Sequence, residues 1–131
     1  MNLLCASDLA GTYVATSSGT STDGCCAGMV FNSTVEVVLE MTGDGEYSIT
    51  DWSGGLYYDW YGPDLGNYGI TRDNVAGTLL DACESISFVH ATEPFGETVQ
   101  ASGTVDAATK IIEYSWSNGW GDEGTVKLTP Q

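Results

Sequence analysis

Trp52, Tyr57, Tyr58, Trp60, Tyr61 and Tyr68 crowd one stretch of the chain, interleaved with Asp51, Asp59 and Asp64. Rings and carboxylates in that mixture suit carbohydrate. A sugar lays its apolar C–H faces on the rings, and carboxylates accept from its hydroxyls. Trp120 adds a ring in the turn Gly119-Trp120-Gly121, where a tryptophan has little core to enter. The candidate ligand-binding set is therefore Trp52, Tyr57, Asp59, Trp60, Tyr61 and Trp120. Tyr and Trp are also enriched where proteins touch. Contact with a protein, or with a second copy of this chain, is expected ahead of glycan binding.

Metal and catalytic chemistry have less to work with. Asp44, Asp51, Asp59, Asp64, Asp73, Asp122 and Glu123 lie in or beside Gly-rich turns, where carboxylates and backbone carbonyls can converge on calcium. Asp59 with Asp64 and Asp122 with Glu123 are the candidate ligands, although the EF-hand spacing is absent. Calcium would be optional, and no other cofactor is implied. His90 is the sole histidine and no G-x-S-x-G occurs, so no nucleophile is paired with a base in any motif. With 18 acidic residues, some pair of carboxylates reaches glycosidase spacing by chance. A hydrolase is a distant third reading, and a non-catalytic domain is expected.

Cys5, Cys25, Cys26 and Cys83 have no C-x-x-C spacing, which argues against zinc or redox chemistry. In a small acidic chain they read as structural disulfides and an oxidising compartment, secreted or cell-surface. Adjacent Cα atoms lie about 3.8 Å apart, below the roughly 4.4 Å that a relaxed disulfide needs. Cys25 and Cys26 are thus expected to bond outward, one to Cys5 and the other to Cys83, with the assignment open.

The net charge of −15 opposes phosphate backbones and anionic membrane surfaces, which excludes nucleic acid as a partner. No apolar run approaches the roughly 18 residues of a membrane-spanning helix, so no direct insertion is expected. Met1-Asn2-Leu3-Leu4-Cys5 is too short for a signal peptide. It lacks the small residue of a lipoprotein acylation site before its cysteine, so a leader or upstream domains are expected to be missing from this chain. Asn32-Ser33-Thr34 fits an N-glycosylation acceptor, which matters only in a eukaryotic source.

The elements that must position these groups read as strands. Period-two alternation runs through 11–17, 34–41, 47–51, 56–61, 75–80, 84–90, 97–105, 110–117 and 125–129. In 34–41, Val35, Val37, Leu39 and Met41 share the inner face. In 56–61, read as a strand, Tyr58 and Trp60 share one face and Tyr57, Asp59 and Tyr61 the other. Segments 17–28 and 62–74 read as long loops. No helical period persists and 17 glycines oppose long helices. The chain is read as one all-β domain over 1–131. It is an antiparallel meander of about eight to nine strands, closed as a barrel or folded as a sandwich and stapled by disulfides.

Turn and strand signatures carry a resemblance. Gly11-Thr12-Tyr13, then Gly45-Glu46-Tyr47-Ser48-Ile49-Thr50-Asp51 and Ser53-Gly54-Gly55-Leu56-Tyr57, and finally 101–106, 111–116 and 124–128 resemble small lipocalin-like β domains. Those domains occur in secreted and outer-membrane-associated proteins of Bacteroidota. The resemblance implies an extracytoplasmic β-domain and no catalytic motif. The expected role is a structural or interaction module, such as a subunit of a larger surface assembly, with a carbohydrate-binding module as the alternative.

Overall fold

In the last strand Gly124, Val126 and Leu128 are buried while Glu123, Thr125 and Lys127 are exposed. That alternation places one face of each strand on a core and the other in water. The computed structural model describes residues 8–22, 27–63, 68–71 and 74–131. Eight strands form there: β1 (Gly11–Thr20), β2 (Val30–Gly43), β3 (Glu46–Ile49), β4 (Gly77–Ala82), β5 (Ser85–Ala91), β6 (Val99–Val105), β7 (Ile112–Asn118) and β8 (Glu123–Pro130). Each pairs antiparallel with its neighbours in chain order, and β8 returns to β1, closing a barrel. Closure gives every strand a neighbour on both sides, although β2 meets β3 only from Leu39 to Gly43 and β5 meets β6 only from Ser85 to Ser87.

The barrel has two ends. Tyr13 pairs with Pro130, and the Gln131 amide donates to the Thr12 carbonyl at 3.0 Å. The start of β1 and the end of β8 therefore share one rim with the turns at Gly45, Cys83–Glu84 and Asp106–Lys110. Leu9 crosses this floor fully buried. It accepts from the Tyr13 hydroxyl at 2.7 Å, and its amide donates to the Tyr47 hydroxyl at 3.2 Å. The opposite rim, the mouth, gathers Ser21–Thr22, the loop between β5 and β6, and the turn between β7 and β8.

The structure settles barrel over sandwich and corrects several local expectations. Leu56–Tyr61 is a helix, α1, rather than a strand. Leu56, Tyr57, Trp60 and Tyr61 are its buried residues, and that spacing gathers one face of a helical turn. β1 runs on to Thr20 and β2 begins at Val30, so the connection expected over 17–28 is shorter. Met41 is 54% exposed. It follows the last core position of β2, just before the shift in register between Met41 and Gly43, so it lies past the packed interior.

Inward positions near the mouth are small: Ser17, Gly19, Ser33 and Gly124. A Cβ on Gly19 would lie 2.7 Å from Leu56 Cδ1, and one on Gly124 would lie 2.9 Å from the same atom. The upper lumen is thus shaped to receive α1. The lower lumen is filled by Tyr13, Val37, Leu39, Tyr47, Ile49, Leu79, Ile86, Ile112 and Leu128, all buried.

Candidate functional site

Asp51 turns the chain from β3 into the lumen. Its Oδ1 accepts from the Ser53 amide at 2.8 Å and the Ser53 hydroxyl at 2.7 Å, and its Oδ2 accepts from the Gly55 amide at 3.0 Å. Ser53 Oγ in turn accepts from the Tyr57 amide at 3.2 Å, in the first turn of α1. Gly54 and Gly55 take φ of 67° and 96°, a left-handed conformation natural to glycine. A Cβ on Gly55 would sit 2.4 Å from Ser33 Oγ. The helix is therefore seated by its entry sequence.

Once seated, its rings pack edge-to-face. Trp52 meets Trp116 at 5.0 Å and Tyr57 at 4.9 Å between centroids, and Trp60 meets Trp116 at 6.0 Å. Trp52 is pinned at both ends: its carbonyl accepts from the Tyr114 hydroxyl at 2.5 Å and its indole donates to the Thr92 carbonyl at 2.9 Å. Burial, and then the charge of Asp51, push the Tyr114 hydroxyl well above the ordinary tyrosine range.

Two buried carboxylates lie under the mouth. Glu93, 7% exposed, accepts from the Phe95 and Glu97 amides at 2.6 and 3.0 Å and from the Tyr57 hydroxyl at 2.7 Å. Asp122, fully buried, accepts from Ser21 Oγ at 2.9 Å, the Thr22 amide at 3.0 Å, Asn118 Nδ2 at 3.1 Å and the Tyr61 hydroxyl. Asn118 Nδ2 also donates to the Tyr57 hydroxyl at 2.6 Å. Tyr57 and Asn118 thereby link the two carboxylates. Burial, followed by the hydrogen bond to Glu93, raises the Tyr57 hydroxyl far above its usual range.

Above this network opens a pocket of about 420 Å³, lined by Thr22, Tyr61, Tyr68, Phe95, Trp120 and Asp122. Tyr61, Tyr68 and Phe95 form a cluster of nearly perpendicular rings, with centroids 5.4 to 6.1 Å apart. Tyr68 and Trp120 are about half exposed, at 52% and 51%.

Residues 5–130 match a family model described as a “-like, C-terminal domain”. The chain belongs to this C-terminal-domain family. Its fold is similar to that of the lipoprotein BT2262 from Bacteroides thetaiotaomicron, at 16% identity and a TM-score of 0.68. The match covers 94% of this chain and 60% of that one, so the chain spans about three-fifths of the length of BT2262. A redesigned β barrel matches at 15% identity and a TM-score of 0.54, over 94% of this chain and 91% of the design. No curated protein matches. The family and the eight-stranded barrel agree with the resemblance to small lipocalin-like domains of Bacteroidota.

In this member of the C-terminal-domain family the residues singled out by sequence divide sharply. Trp52, Tyr57 and Trp60 are fully buried and Tyr61 is 4% exposed. The first three are core, and only Tyr61 reaches the pocket. Asp59 is half-buried on α1. Trp120 is exposed at the mouth, as its turn suggests. Asp122 lies beside exposed Glu123 in sequence, but its oxygens hold four hydrogen bonds within the protein. That fills the roughly four acceptor sites of a carboxylate. Among the described residues no group of three or more His, Cys, Asp or Glu side chains is placed to hold a metal. Asp64, Cys5, Cys25 and Cys26 lie outside the described residues. Cys83 lies in the turn between β4 and β5. His90 is exposed on β5, its Nε2 3.2 Å from Thr92 Oγ1.

Sequence reasoning missed Glu93, Asn118 and Phe95. Glu93 and Phe95 flank Pro94 between two strand patterns. A glutamate in a loop gives no sign of burial until the loop is known to fold over a hydroxyl-bearing core ring.

Proposed function

We propose that this chain is a non-catalytic interaction module on the cell surface, one β-domain of a longer lipoprotein-like protein, and that its contacts are made at the barrel mouth. The observation carrying this reading is that the lumen is filled by α1 and its rings while an aromatic pocket stands open above it. A filled barrel has no interior cup for a ligand, and large exposed rings at a rim mark a contact surface. The surface location draws support from the lipoprotein BT2262, which shares the fold.

A second reading, a glycan-binding module, is favoured by one ring alone, Trp120, half exposed beside the pocket. A glycan array and a light-scattering series, each run with wild type and a Trp120→Ala/Phe95→Ala variant, test the two. Loss of glycan binding or of self-association in the variant supports the mouth as the contact end. Binding that persists unchanged in the variant refutes it.

The cysteines act as scaffold in this reading, with a revised pairing. Cys83 sits on the rim where β1 begins, whereas Thr22 and Ala27, which flank Cys25 and Cys26 in sequence, lie toward the mouth. Three residues reach at most about 10 Å, and a seven-residue strand rises roughly 23 Å. Chain reach thus favours Cys5 as the partner of Cys83, which would leave Cys25 and Cys26 to each other in the strained adjacent bond that Cα spacing alone disfavours.

A further inference from the structure

We propose that the mouth recognises a small organic cation whose charge sits on an alkylated, quaternary ammonium group. This deepens the binding reading above and rests on it.

The walls supply the first argument. Tyr61, Tyr68 and Phe95 meet at interplanar angles of 62° to 85°, and Trp120 lines the same pocket. Rings so arranged offer π faces in different directions, which suits a rounded ammonium head. A flat sugar wants a coplanar platform. A cation within about 6 Å of a ring centroid is held by the ring quadrupole.

The polar groups supply the second. Asp122 already accepts four hydrogen bonds, one of them from the Tyr61 hydroxyl. The Thr22 hydroxyl donates to the Trp120 carbonyl at 2.6 Å. A sugar would find its hydroxyls poorly matched here. A quaternary ammonium has no N–H and asks for no acceptor.

Charge supplies the third. Every hydrogen-bond partner given above for Asp122 and Glu93 is a neutral donor. Such donors solvate a carboxylate without cancelling its field, which is strong where water is excluded. The described basic residues stand apart: Lys110 follows the turn at the far rim and Lys127 points outward from β8. The net charge of −15 adds long-range attraction for cations.

The test is a nuclear magnetic resonance titration of the oxidised domain, following the Trp120 indole and the Phe95 amide. The probes are choline, its uncharged analogue with carbon in place of nitrogen, a glucose trisaccharide and phosphatidylcholine vesicles. Choline should shift both resonances and bind at least about tenfold more tightly than the analogue. Trp120→Ala and Phe95→Ala, checked for an unchanged melting temperature, should each weaken choline several-fold. Vesicle binding alongside free choline would identify a lipid headgroup as a source of the cation, and free choline alone a small solute. Equal binding of choline and analogue overturns the proposal. Shifts by the trisaccharide alone overturn it too, but leave the mouth as the binding end. Shifts by no probe overturn the cation proposal and count against small ligands at the mouth, while the scattering series still decides its role in self-association.

Discussion

Tyr57→Phe isolates the buried network from the packing around it. The ring remains, with its contacts to Trp52 at 4.9 Å and Tyr61 at 5.1 Å. Only the hydroxyl goes, and with it the 2.7 Å bond to Glu93 Oε2 and the 2.6 Å bond from Asn118. Glu93 Oε1 keeps two backbone donors, but Oε2 loses the donor shown for it, and at 7% exposure water replaces that donor poorly. A hydrogen bond to a charged group contributes about 1.5–3 kcal/mol. Asn118 keeps its bond to Asp122 at 3.1 Å, so that side adds at most about 0.5 kcal/mol. The expected loss is about 2–3 kcal/mol, or a fall in melting temperature of about 8–12 °C for a domain of this size. Urea denaturation of the oxidised protein at neutral pH, followed by circular dichroism, measures it. Against a Glu93→Gln background the same substitution should cost less than about 1 kcal/mol, because no buried charge is stranded. A single variant within about 0.5 kcal/mol of wild type, or strict additivity in the cycle, would refute the reasoning.

Asp51→Ala removes the acceptor for three donors at the helix entry and should destabilise by about 2–3 kcal/mol, with loss of near-ultraviolet dichroism as the Trp52–Trp116 cluster loosens. An unchanged aromatic spectrum would show that α1 seats without it. Burial, with Tyr47 and Asp8 nearby, lifts the Tyr13 hydroxyl to about 12. A folded pKa above the unfolded value of about 10 means that Tyr13's contribution to stability is complete below that pH and is lost as pH rises through about 12. A tyrosinate titration in which all tyrosines ionise together near pH 10, with no unfolding, would contradict this. Peptide mapping under non-reducing conditions should recover Cys83 linked to Cys5, and reduction should cost about 2–4 kcal/mol. Recovery of Cys83 linked to Cys25 or Cys26 would overturn that pairing.

The barrel was legible because strand period and turn chemistry are local. Val126 and Leu128 alternate with Thr125 and Lys127, and no distant contact is needed to read them. Leu56–Tyr61 was not, because six residues give both periods a fair fit. The signal that decides it sits outside the segment: Asp51-Trp52-Ser53-Gly54-Gly55 supplies capping oxygens and left-handed glycines just before a helix start. Ser17, Gly19, Ser33 and Gly124 gave a second sign, since small inward residues on three strands require something else to fill the space. Trp120 was readable as exposed from its glycine-flanked turn. The site around it was not, because Phe95, Tyr68 and Asp122 meet only after the barrel closes.

Because Gly11 and Pro130 share the rim opposite the mouth, the domain has a front and a back. Chain arriving before Gly11 and chain departing after Pro130 both attach at the back. A tether on either side, whether to another domain or to a lipid, would hold the aromatic rim facing outward like a cup on a stem. The same adjacency makes the domain simple to transplant: spliced into a surface loop of an unrelated host, it needs only a narrow gap between its two junctions and would display the rim away from that host.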